Sequence, residues 1–133
     1  MTTPTQVLIV DDRVSVRTTL RHTLRGFDCE ICEAGKGAVA LDLISKTYFD
    51  IVFLDLMLPD LPGIEILRQA RESHARLGKV IILTGQPEPA TQEEAKKLYA
   101  FRYLTKSPIS REEIRRAFVE AISDSGPFDS DHE

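Results

Sequence analysis

The chain has 133 residues, 42% of them hydrophobic, which suits one globular domain with its own core. Its 17 basic and 21 acidic residues give a net charge of −4; four of the acids (Asp124, Asp129, Asp131, Glu133) lie in the last ten residues, so residues 1–123 balance at 17 of each sign. A neutral body lacks the basic field of a dedicated nucleic-acid binder, apolar runs of four or five residues are too short to span a membrane, and the N-terminal MTTPTQ carries no secretory signal. A cytoplasmic protein with no direct nucleic-acid binding and no membrane association is expected.

In chain order, Val7-Leu8-Ile9-Val10 is a continuous, β-branched run, as in a strand covered on both faces. Val16, Leu20 and Leu24 then step by four, with Phe27 three further on, and predict the first helix. Arg13, Arg17, Arg21 and Arg25 repeat every fourth residue beside that apolar face. Charged helix faces usually just meet solvent. The "CEIC" of Cys29–Cys32 lies in a second, more polar strand. A redox pair would need a helix N-terminus, and zinc would need further ligands, whereas His22, His74 and His132 are scattered. Both cysteines therefore read as strand residues.

Ala40, Leu43 and Ile44 give a second helix face, and Ile51 to Leu54 a third strand that drops directly into Asp55. Leu58-Pro59-Asp60 and Leu61-Pro62-Gly63 are turn-like, and Asp60 is assigned no chemistry. Ile64, Leu67 and Ala70 lie in a third helix, and Val80 to Leu83 form a fourth buried strand. Thr91-x-x-Glu94 and Ser110-x-x-Glu113 are capping-box signatures for two more helices, on either side of a fifth strand, Phe101 to Leu104. Ile114, Ala117, Phe118, Ala121 and Ile122 form the apolar face of the last helix, and Gly126-Pro127 follows its end. Residues 1–123 are expected to form the domain, and 124–133 an acidic tail or the start of a linker.

Strand followed by helix, five times, predicts an α/β fold: a doubly wound (βα)5 with a parallel five-stranded sheet. Asp11 and Asp12 follow the first strand, Asp55 ends the third, Thr84 ends the fourth and Lys106 lies just past the fifth. All of these lie on the C-terminal edge of a parallel sheet, where ligands bind at the switch point. With strand order 2-1-3-4-5, the first and third strands are neighbours and the three aspartates converge. Two carboxylates about 4 Å apart repel by roughly 4 kcal/mol at an effective dielectric of ~20. Lys106 offers one counter-charge, and a hard divalent ion such as Mg2+ would supply the rest. A carboxylate can also be a nucleophile toward phosphorus. Taken singly, Asp11 or Asp12 is an ordinary helix cap, Asp55 a turn residue, Lys106 a surface lysine and Tyr103 an edge-strand core residue. Their joint placement is what points to phosphoryl transfer.

"VLIVDD" (7–12), "IVFLDLMLPDLPG" (51–63), "VIILTG" (80–85) and "RYLTKSP" (102–108) together resemble the CheY-like receiver domain of two-component response regulators. The resemblance implies a flavodoxin-like fold and a phosphoacceptor switch that catalyses only its own phosphotransfer and autodephosphorylation. It implies Asp55 as phosphoacceptor, Asp11, Asp12, Asp55 and the backbone carbonyl of Met57 as Mg2+ ligands, and Thr84 and Lys106 as partners of the phosphoryl group. Tyr103 matches the aromatic that moves inward when Thr84 shifts. The implied phosphodonor is a sensor histidine kinase or histidine phosphotransfer protein, docking on the first helix at Arg17 and Arg21. The output would be a downstream protein or a further output domain, with a homodimer through the helix 4–strand 5–helix 5 face a further option. The sequence departs from the family pattern at Ser107, inserted between Lys106 and Pro108, at Tyr99 where a Gly is usual, at Gly85 in place of Ala, and at Arg13. The alternatives are a receiver-like interaction module that is not phosphorylated, an aspartate-nucleophile phosphatase and a flavodoxin-like ligand binder. The phosphatase would need a second acid two residues past Asp55 and a cap, and the binder a Ser/Thr/Gly-rich loop where "DDRVSV" stands.

Overall fold

The structure, a computed structural model, describes residues 3–73, 76–106 and 108–123. Strands and helices alternate: β1 (Thr5–Val10), α1 (Val14–Thr23), β2 (Cys29–Ala34), α2 (Gly37–Lys46), β3 (Ile51–Asp55), α3 (Gly63–Glu72), β4 (Lys79–Thr84), α4 (Pro89–Lys97), β5 (Arg102–Thr105) and α5 (Arg111–Ser123). Every strand pair is parallel and the order is β2-β1-β3-β4-β5, the flavodoxin-like arrangement expected from the sequence. The expected tail, 124–133, lies outside the described residues.

The strand composition follows from what covers each strand. All five residues of β3 are buried, as are the last four of β1 and the last five of β4. The edge strands β2 and β5 leave residues exposed, which matches their polar composition. Alternate side chains feed opposite faces of the sheet. Leu8, Val10, Val52, Leu54, Val80 and Ile82 pack with α2, α3 and Ala95 of α4. Val7, Ile9, Ile51, Phe53, Ile81 and Leu83 pack with Leu20 and Leu24 at α1 and with Ile114, Ala117, Phe118 and Ala121 of α5. Phe27 joins this second layer, its ring 4.9 Å from that of Phe118.

Two sequence expectations need correction. The Thr91-x-x-Glu94 box does not start α4: Pro89 stands in its first turn, Glu88 is the N-cap, and no side chain caps it. Proline at that position gives up an N–H that the helix leaves unpaired anyway. Glu94 instead pairs with Arg68 of α3. Ile122 is 45% exposed rather than buried, because eight residues on from Ile114 is about 80° around the helix. The second capping signature does hold: the Glu113 N–H donates to Ser110 Oγ at 3.2 Å. Among the described residues no helix is long and apolar enough to cross a membrane.

Candidate functional site

Register decides which residues meet. Val10 is level with Leu54, Asp55 with Leu83, and Thr84 with Thr105. Asp11, Asp55, Thr84 and Lys106 therefore emerge side by side at the C-terminal edge. The Lys106 N–H donates to the Thr84 carbonyl at 2.9 Å, extending the β4–β5 ladder by one residue.

Asp11 and Asp55 are almost fully buried, and Lys106 answers both. Its Nζ lies 2.5 Å from Asp11 Oδ2 and 3.2 Å from Asp55 Oδ2. The other oxygen of each acid takes a backbone donor: Arg13 N–H to Asp11 Oδ1 at 2.9 Å, and Met57 N–H to Asp55 Oδ1 at 3.1 Å. Asp12 is exposed at the mouth. Carboxylate oxygens of Asp11, Asp12 and Asp55 all lie within 4.8 Å of one another. One ammonium thus pairs with two of three clustered carboxylates. Burial pushes the Asp55 carboxyl up from its usual range, and the Asp11 charge adds to this, while the Met57 N–H and Lys106 pull it back. The donor set is all oxygen, anionic and open on one side, which suits a hard divalent cation such as Mg2+. The helix-cap role open to either acid is not realised: the N-cap of α1 is Arg13, with no side-chain bond.

Thr84 is buried, and its hydroxyl accepts the Gln86 N–H at 3.2 Å. A Cβ on Gly85 would meet no atom within 4 Å, so the mouth is open beside it. A cavity of ≈ 200 Å3 adjoins Thr84, bordered by Leu56, Met57, Pro62, Gln86 and Glu88. Tyr103 packs against the layer formed by α2, α3 and α4, and its hydroxyl is buried without a hydrogen-bond partner among the described residues. Burial pushes its phenol upward. Ser107 lies outside the described residues.

Arg17 and Arg21 do not stand free on α1. Arg17 Nε donates to Glu33 Oε1 at 2.7 Å and its Nη1 to the Asp11 carbonyl at 2.7 Å, while Arg21 pairs with the other oxygen of Glu33. Arg17 thus supports the site from behind. Asp60 also escaped the sequence reading: its carboxylate caps α2. The available signal was "AGKG" (34–37), a helix start with no Ser, Thr, Asp or Asn of its own.

Tyr99 adopts φ 65°, the left-handed conformation that a glycine takes easily. Arg71 holds this turn, donating to the carbonyls of Leu98 at 2.9 Å and Tyr99 at 3.1 Å.

Comparisons with known proteins bear on the family and the fold. A family model described as the response regulator receiver domain matches residues 7–119. Sporulation initiation phosphotransferase F of Bacillus subtilis (strain 168) is 34% identical over 112 residues, covering 84% of this chain and 89% of that protein. Regulatory protein AtoC of Escherichia coli (strain K12) is 35% identical over 124 residues, 92% of this chain but only 26% of that protein. The fold superposes with a TM-score of 0.83 on a CheY-like response regulator receiver domain protein of Methanospirillum hungatei JF-1, at 23% identity, covering 90% of this chain and 94% of that one.

Proposed function

This chain belongs to the response regulator receiver family, and on that premise we propose that it is a phosphoacceptor switch of a two-component system, phosphorylated on Asp55. The observation that carries this reading is the convergence of Asp11, Asp12 and Asp55 at one edge of the sheet, with the Lys106 ammonium paired to the two buried acids, Asp11 and Asp55. Asp12, Asp55 and the Met57 carbonyl would hold Mg2+, with Asp11 acting partly through water. Held there, the ion would neutralise charge on the phosphoryl oxygens.

The protein's own groups do the rest. An Asp55 carboxylate oxygen attacks phosphorus, and a new O–P bond forms as the donor's N–P bond, or the O–P bond of acetyl phosphate, breaks. Lys106 pairs with one phosphoryl oxygen, and the Thr84 hydroxyl donates to another. Thr84 then shifts toward the phosphoryl group and Tyr103 follows, which re-sets the face around α4, β5 and α5 for a partner or a second copy. The change is a shift between two populated states. Water later cleaves the acyl phosphate, so the chain is a timed switch rather than an enzyme acting on other substrates. A histidine kinase or histidine phosphotransfer protein in the cytoplasm supplies the phosphoryl group, and a partner protein or output domain reads it.

Intact mass spectrometry after treatment with acetyl phosphate and Mg2+ tests this. One phosphoryl group should be added, and it should be absent with EDTA and in Asp55→Asn. No adduct, together with no Mg2+ binding, overturns the reading and leaves a protein-interaction module that is not phosphorylated.

A further inference from the structure

Asp60 sits in the loop between β3 and α3, yet its carboxylate serves another element. Gly37 N–H donates to Oδ1 at 2.8 Å and Ala38 N–H to Oδ2 at 3.0 Å. These are the first two residues of α2, whose N-cap Lys36 makes no side-chain bond. The first N–H groups of a helix have no partner within it, and negative charge is favoured there. Asp60 therefore supplies the cap that α2 lacks.

Two more contacts fasten the same loop. Leu61 and Ile66 press on Gly37, where a Cβ would lie 2.9 Å from each. At the base of the loop, Gly63 N–H donates to the Leu56 carbonyl at 3.0 Å. Gly63 is required there, because a Cβ would overlap the Asp55 carbonyl oxygen. Between base and anchor runs Met57, whose N–H orients Asp55. Its side chain is 63% exposed, so packing gives it little hold.

We infer that Asp60 is a positioning residue for the metal centre: by pinning the 56–62 loop to the N-terminus of α2, it pre-forms the Met57 peptide and the Asp55 carboxylate for Mg2+. This rests on the proposed Mg2+ site and adds to it a residue that touches neither metal nor phosphoryl group. Partners that orient a metal's ligands typically contribute 10–100-fold in affinity.

Calorimetric titration with MgCl2 tests the inference, with far-UV circular dichroism to confirm folding. Asp60→Ala should bind Mg2+ roughly tenfold more weakly than wild type. Asp60→Asn, which retains one acceptor for Gly37, should fall between the two and provides a second variant should the alanine form not fold. The deficit should persist in about 1 M KCl, where the Debye length is ~3 Å and an exposed charge acts only locally. Equal affinity in Asp60→Ala and wild type overturns the inference, as does a deficit that vanishes in high salt, which would make Asp60 only part of the negative field. If wild type itself binds no Mg2+ and takes no phosphoryl group from acetyl phosphate, the proposed function fails instead.

Discussion

Glu33, on the edge strand β2, is shared by Arg17 and Arg21. The Arg21 bond, and after it Arg17, holds the Glu33 carboxyl below its usual 4.5. A carboxylate depressed in the folded state adds stability that is complete above its unfolded value and is lost as pH falls through the folded one. Glu33→Gln should therefore be less stable than wild type at pH 7, by about 1 kcal/mol or less because both pairs are partly exposed. The gap should close below about pH 4.5, and urea midpoints at several pH values would read it. That Asp11, Asp12, Asp55, Thr84 and Lys106 would meet at one edge was legible in the sequence because each sits at a strand end, and parallel strands bring their ends together. The pairings of Asp60 and Arg17 were not. Their partners, Gly37 for the one and Glu33 for the other, lie 23 and 16 residues away, and no local pattern encodes such a pairing.

At the scale of elements, the strands were legible because buried parallel strands have to be apolar and continuous. Helix starts were less so, because a capping box is short enough to arise inside a helix, as Thr91-x-x-Glu94 does in α4. The α4–β5 turn adds a case where backbone geometry and residue type disagree. Tyr99, 66% exposed, holds a positive φ that costs a non-glycine residue about 1 kcal/mol or more. Tyr99→Gly should raise stability by about 1 kcal/mol, seen as a higher denaturation midpoint with an unchanged m-value. A loss of stability would mean that the ring's own contacts outweigh the strain. Arg71 binds both carbonyls at this turn, so α3 reinforces the point where α4 hands over to β5.

For the whole molecule, charge placement bears on how the proposed phosphodonor would approach. Of the four arginines in and flanking α1, Arg17 and Arg21 are committed to Glu33, while Arg13, its N-cap, and Arg25, past its end, are exposed. Reversing Arg17 would damage the support of Asp11 and confuse docking with chemistry. An Arg25→Glu variant avoids this. It should slow phosphotransfer from a histidine phosphodonor several-fold, as loss of electrostatic steering does, and leave acetyl phosphate labelling unchanged. Equal slowing with both donors would exclude α1 as the docking face.

The central sheet also divides the apolar interior into two compartments, one shared with α2, α3 and α4 and the other with α1 and α5, and among the described residues no buried side chain belongs to both. Substitutions that are well separated and share no neighbours add their effects on stability nearly independently. The lineage of this protein can therefore drift on one side without first repairing the other. The layer behind α1 and the layer behind α4 can each change its packing, while the strand ends between them keep the same residues.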